Sequence, residues 1–209
     1  MKIGLFGGSF DPFHEGHLAT ALNLLQYLDR IIFIPTYQNP LKQHRPMFNN
    51  EERLELIKQV CKYFPEFDYN DYDIVTENCF TINTVRHLSN LYHDADLYWI
   101  LGDDAFIKLL RWKDWKSLFD YVKLIVVERN QPLAHTLRYA DNICRQLNIE
   151  FSLGWSEKFP LILIYDIETP SISSTQIRKQ LNSKHDYLKQ FESIVRRYHE
   201  HTKEKASSK

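Results

Sequence analysis

A short apolar run, Ile3-Gly4-Leu5-Phe6, breaks into Gly7-Gly8-Ser9-Phe10-Asp11-Pro12-Phe13-His14-Glu15-Gly16-His17, and an apolar-periodic segment from Leu18 to Leu28 follows. No other stretch limits the fold so strongly. A buried strand here ends in a tight glycine-rich turn that delivers the chain to a helix, the opening of a β-α unit. The first N–H groups of a helix have no intrahelical partner and the peptide dipoles add, so such a corner attracts anions. Glycine lets backbone approach a phosphate without a side chain in the way. His14 and His17 stand where the helix begins, and two imidazoles there can donate to phosphate oxygens. The local reading is a nucleotide phosphate site with chemistry attached.

The rest of the chain alternates in the same manner. Arg30–Pro35, Leu97–Leu101, Lys123–Val127 and Leu161–Tyr165 read as buried strands, and Asp71–Val75 as a weaker one. Between them, Asn49 with Glu52 fits a capping box opening a helix to about Tyr63. Thr84–Leu91 and Leu133–Leu147 are helix-like. Alternation of this kind predicts a parallel sheet covered on both faces, a Rossmann-like, doubly wound α/β fold with its ligands at the carboxyl ends of the strands. No repeat or linker divides the chain. One domain is expected over residues 1–198, with a polar, fraying tail at 199–209.

Composition narrows the classes of function. A formal net charge of −1 gives no bulk attraction for nucleic acid. No apolar run approaches the roughly 18 residues of a membrane span, and the opening residues do not form a secretory signal. Cys61, Cys79 and Cys144 are odd in number and widely spaced, which fits a reduced cytoplasm. The sequence leaves assembly into a homo-oligomer open.

The turn lacks both Gly-x-x-x-x-Gly-Lys and Gly-x-Gly-x-x-Gly, so it is neither a P-loop nor the dinucleotide fingerprint. Read alone, His14 and His17 also fit a metal pair or merely polar residues at a helix start. A metal site would want a third and fourth ligand, and no local cluster offers them. A second constellation, Ser171-Ile172-Ser173-Ser174-Thr175-Gln176-Ile177-Arg178, follows the last strand. Ser173 with Gln176 fits another capping box. Arg178 would lie within about the first turn, where a cation is disfavoured unless an anion is present.

Together the two constellations resemble the nucleotidylyltransferase superfamily, and within it the bacterial nicotinate-nucleotide adenylyltransferases. Intermediate landmarks agree: Ile34-Pro35 before Asn39-Pro40-Leu41-Lys42, Leu101-Gly102-x-Asp104, and Arg111-Trp112-x-x-Trp115. The resemblance implies that the phosphate of nicotinate mononucleotide attacks the α-phosphorus of ATP, forming nicotinate adenine dinucleotide and pyrophosphate in NAD biosynthesis, without a covalent enzyme intermediate. It implies phosphate contacts from His14 and His17, and neutralisation of pyrophosphate by Lys42 and Arg178. Gly7, Gly8, Ser9 and Phe10 would shape the ATP and pyridine sites, Asp104 would bind the adenosine side, and Ser174 and Thr175 would bind phosphate. Mg2+ would accompany ATP, with no protein-only metal site. Trp112 would stack on the pyridine, with Trp115 in the core. Many members carry Ser-Tyr-Thr where this chain has Cys79-Phe80-Thr81. Thr81 and the backbone of Ile82 would meet the nicotinate carboxylate.

Rival readings are a nicotinamide-mononucleotide-preferring enzyme and a non-catalytic nucleotide-binding module. Phosphopantetheine adenylyltransferases share the terminal motifs but are shorter, and the Trp112–Trp115 segment argues against them. Class I aminoacyl-tRNA synthetases use a lysine-rich second signature that this chain lacks.

Overall fold

The computed structural model describes residues 1–38, 40–41, 45–129, 132–156, 161–167, 169–170 and 172–207. Their strands are β1 (Lys2–Gly8), β2 (Arg30–Pro35), β3 (Phe67–Tyr69), β4 (Asp96–Gly102), β5 (Lys123–Glu128), β6 (Phe151–Leu153) and β7 (Ile162–Asp166). They form one sheet in the order β3-β2-β1-β4-β5-β7-β6, with every pairing parallel. From β1 the chain winds outward to β3, then returns to lay β4 on the other side of β1. That reversal opens a crevice at the carboxyl ends of β1 and β4. The expected Rossmann-like, doubly wound α/β sheet is thus present.

Successive strand residues point to opposite faces, and both faces are buried. Phe6, Ile31, Phe33, Tyr98, Ile100, Ile125 and Val127 belong to one core. It is covered by α1 (Glu15–Leu24), α2 (Asn50–Tyr63) and α8 (Lys184–Ser207) through residues such as Leu24, Leu56, Ile57, Phe191 and Val195. The alternate residues Ile3, Leu5, Ile32, Ile34, Trp99, Leu101, Leu124 and Val126 form the second core. There α4 (Thr81–Leu91) and α6 (Leu133–Leu147) supply Ile82, Val85, Leu88, Ala140 and Ile143. The continuous apolar runs of these strands follow from burial on both faces.

One expectation needs correction. Asp71–Val75 is not a strand: residues Tyr72–Val75 make the short helix α3, and β3 lies just before it. The Tyr72 N–H donates to Asn70 Oδ1 at 3.0 Å, a side-chain turn that overrides the strand propensity of Tyr72, Ile74 and Val75. Edge strand β6, of three residues, is too short to show an alternation in sequence. The polar stretch from His199 continues α8, which runs to Ser207, and the His199 ring packs edge-on against Tyr63 and Phe64. Both sequence-read capping boxes are present, Asn49 with Glu52 and Ser173 with Gln176. No helix of the described residues is long and apolar enough to cross a membrane.

Candidate active site

A cleft of about 1400 Å3 lies at the carboxyl ends of β1 and β4. Its walls include Gly7, Gly8, Ser9, Phe10, His14, His17, Thr81, Asp104, Trp112, Ser174, Thr175 and Arg178, which converge from both ends of the sequence. Ile82 stays apart, its side chain buried in the second core. Lys42 lies outside the described residues.

The glycines at the end of β1 are demanded by aromatic rings. A Cβ on Gly7 would sit 2.2 Å from the Trp99 ring, and one on Gly8 would sit 2.9 Å from the Phe10 ring. Phe10 itself has φ of 46°, a left-handed conformation that costs a non-glycine residue about 1–2 kcal/mol. Its ring offsets that strain by packing against Phe6, Phe13, Phe33 and His17. The open approach to phosphate expected from these glycines is therefore only part of their role: they make room for rings that fix the turn.

Below the turn, Arg53 is fully buried. It donates to the carbonyls of Ser9 and Thr36 at 2.7 Å each, to Tyr37 O at 3.3 Å, and to Asn50 Oδ1 at 2.6 Å. One guanidinium thus ties the loop after β1 to the end of β2 and the start of α2.

The two histidines form a reciprocal cap. His14 precedes α1, and its Nδ1 accepts from Gly16 N–H at 3.1 Å. His17 Nδ1 accepts from His14 N–H at 3.2 Å. The rings stack with centroids 3.8 Å apart. With each Nδ1 an acceptor, the proton of each neutral imidazole sits on Nε2. Burial, with a contribution from Arg129, lowers the His14 pKa to about 3, so His14 remains a neutral donor at ordinary pH. Folding thus excludes a proton that the unfolded imidazole binds. Its contribution to stability is present above about pH 6.5 and is lost as pH falls toward about 3. An H14N variant, which keeps the capping acceptor but cannot titrate, should show a flatter loss of stability across that window in denaturant titrations. An unchanged slope would mean that His14 is not the group concerned.

At the opposite wall, α7 (Ser174–Gln180) spans only seven residues. Arg178 therefore falls in its last turn, where the helix dipole favours a cation, and not near its electropositive start. It donates to Asp11 O at 2.6 Å and to Thr175 Oγ1 at 3.1 Å, and lies 3.4 Å from Asp11 Oδ2. The anion beside Arg178 is thus Asp11, whose Oδ1 also accepts from Phe48 N–H at 2.8 Å. Ser174 Oγ donates to Pro12 O at 3.1 Å. These bonds join the two distant motifs into one wall.

Besides Arg53, two features escaped the sequence reading. Arg129 follows β5 directly and lines the cleft. Its backbone N–H donates to buried Asp103 at 3.0 Å and its NH2 group donates to Thr20 Oγ1 at 3.3 Å, while its buried Nε has no partner among the described residues. Burial lowers its pKa, and Asp104 and Asp103 act against that. A cation just past a fully buried strand, at the edge where such sheets bind ligands, was the available signal. The other feature is a buried network under residues 78–81. Asp73 Oδ1 accepts from Asn78 Nδ2 at 2.8 Å and from Thr84 Oγ1 at 2.6 Å, while Asn78 Nδ2 also reaches Phe80 O at 3.1 Å. It fixes the entry to α4, where Phe80 precedes the helix without a side-chain cap.

A cytidylyltransferase-like family model matches residues 5–180. A Shewanella sp. (strain ANA-3) protein named probable nicotinate-nucleotide adenylyltransferase is 34% identical over 192 residues, 87% of this chain and 88% of that protein. The chain belongs to the nicotinate-nucleotide adenylyltransferase family. A relative of the same name from Methylacidiphilum infernorum is 39% identical over 133 residues, spanning 62% of this chain and 65% of that protein, slightly under two thirds of its length. In fold, the chain is similar to the Plasmodium falciparum nicotinic acid mononucleotide adenylyltransferase complexed with NaAD, with a TM-score of 0.61, 17% identity, and coverage of 94% and 95% of the two chains. Trp112 and Trp115 both pack beside the second core; Trp112 also lines the cleft, while Trp115 lies edge-on to Phe119.

Proposed function

We infer that this protein transfers the adenylyl group of ATP to nicotinate mononucleotide, releasing pyrophosphate and forming nicotinate adenine dinucleotide. The observation that carries this reading is the stacked His14–His17 pair. Each Nδ1 accepts from the backbone, which puts the proton of the neutral ring on Nε2, a donor of the kind a phosphate oxygen accepts from. A phosphate oxygen of the mononucleotide attacks the α-phosphorus of ATP, and the bond from that phosphorus to the pyrophosphate oxygen breaks. The attacking oxygen is already anionic, so no base has to remove a proton. Rate then depends on alignment and on stabilising the charge that develops on the transferred phosphorus.

His14 and His17 are assigned to the phosphates of ATP, with Arg129 supplying a fixed positive charge beside them. Arg178 holds the wall against Asp11 and shares in neutralising the departing pyrophosphate. Ser174 and Thr175 would meet phosphate there, Ser174 through its backbone since its hydroxyl is bonded to Pro12. Asp104, which lines the cleft, is assigned to the adenosine side, and Trp112 to the pyridine ring. Thr81 and the Ile82 N–H, at the uncapped start of α4, are assigned to the carboxylate. The carboxylates that line the cleft do not suit a resident cation: Asp11 is already bonded to Phe48 and Arg178, and Asp104 lies close enough to Arg129 to interact with its charge. Mg2+ would therefore be held by the phosphates of ATP, whose charge it would reduce. A reaction fed by ATP and a pyridine mononucleotide fits the cytoplasm.

The test is pyrophosphate release with ATP and Mg2+, comparing nicotinate with nicotinamide mononucleotide at matched concentrations. A preference of about tenfold or more for the nicotinate form is expected. Preference for the amide would assign the neighbouring specificity, and no release with either would leave a nucleotide-binding module.

A further inference from the structure

Cys79 and Phe80 bring no hydroxyl to the pyridine end of the cleft, yet a substrate carrying a carboxylate has to be told from one carrying an amide. A full charge stands close by. Lys113 leaves the 3-10 turn Leu109–Arg111 one residue after Trp112, and both line the cleft with Phe80. Its Nζ lies 4.6 Å from the centroid of the Phe80 ring. That ring is 38% exposed and directly precedes Thr81. A lysine stem is flexible, but an ammonium within about 6 Å of an aromatic face is attracted to it and localised there. The ion pairs of the described residues do not include Lys113. Its charge is thus held against the cleft wall by a ring, which leaves its N–H donors for a ligand.

We propose that Lys113 is a specificity-determining residue: its ammonium, held over Phe80 beside Trp112, pairs with the carboxylate of the nicotinate ring and favours the acid over the amide. This rests on the adenylyl-transfer reading given above. The two mononucleotides differ in one substituent and in one unit of charge. A charge-assisted hydrogen bond is about twice as strong as a neutral one, so an ammonium at this corner separates them where a hydroxyl would separate them weakly. Phe80, lacking a polar atom on its ring, acts as the platform that positions the charge.

The test measures binding of each mononucleotide by calorimetry without ATP, and then pyrophosphate release, for the wild type, K113M, K113R and R111M. K113M should weaken nicotinate mononucleotide about tenfold and move nicotinamide mononucleotide less than twofold. K113R should keep most of the preference, and the wild-type preference should shrink as salt rises, because an exposed charge is screened. R111M removes the other cation next to Trp112 and should leave the acid preference standing. Equal losses for both ligands in K113M, no loss at all, or loss of the preference in R111M with K113M unaffected would overturn the role of Lys113 alone. Binding that follows the expected pattern with no pyrophosphate released would uphold Lys113 and refute adenylyl transfer. Absence of binding of either mononucleotide to the wild type would refute both.

Discussion

Replacing His17 with alanine should lower adenylyl transfer by about 10²–10³-fold, the usual cost of deleting one preorganised donor to developing charge. The sheet should survive. His17 is half-buried: it completes the reciprocal cap by accepting the His14 N–H at 3.2 Å, and its ring packs against Phe6, Phe10, Phe13 and His14. Loss of that reciprocal cap should lower stability by about 1 kcal/mol. H17N separates the two effects. An asparagine oxygen can take the place of Nδ1 and restore the cap, but nothing replaces the Nε2 donor. Steady-state pyrophosphate release and denaturant unfolding on both variants give the answer. If H17N recovers turnover along with stability, the donor at Nε2 is unimportant and the pair is only a cap.

Replacing Arg53 with methionine should be the most destabilising single change near the site, at about 3–5 kcal/mol. Four part-buried acceptors now satisfied by one buried guanidinium, among them Ser9 O and Thr36 O at 2.7 Å, would lose that partner. For a chain of this size that is a fall in Tm of roughly 6–20 °C. R53K keeps the charge but not the planar fork that reaches several carbonyls at once, and it should recover little. Calorimetric unfolding of the two variants decides the matter. A drop of less than about 3 °C in R53M would mean that water takes over those acceptors and that the loop after β1 is not fixed from beneath.

Most of the sheet could be read from the chain because its strands are long enough to show continuous apolar runs and its helices carry capping signals. Arg30–Pro35 is β2 to the residue, and the Asn49 and Ser173 boxes are both formed. Where pattern and local hydrogen bonding disagreed, the hydrogen bonds won, as in the turn at Tyr72–Val75. The two motifs could be assigned to one site, since a doubly wound sheet gathers its strand ends, but their wiring to each other could not. No local pattern says that Arg178 will meet Asp11, or that a Cβ at Gly7 would strike Trp99, because those partners lie far away in the chain. Arg53 was invisible for a related reason. A charged residue on a helix with acidic neighbours reads as solvated surface until the fold buries it.

The turn that carries His14 and His17 is written in residues 7–17 but finished by α8. Tyr187 donates its hydroxyl to Phe13 O at 2.8 Å, and Phe191 packs edge-on against the Phe13 ring. Phe13 in turn touches Phe10, Phe33 and His17. During synthesis the amino-terminal β-α unit leaves the ribosome first, yet the ring cluster that sets its histidines lacks one side until residue 191 has emerged. A nascent or truncated chain without α8 therefore carries the amino-terminal signature and still lacks the support that shapes it, so the turn is finished only after residue 191 has been made.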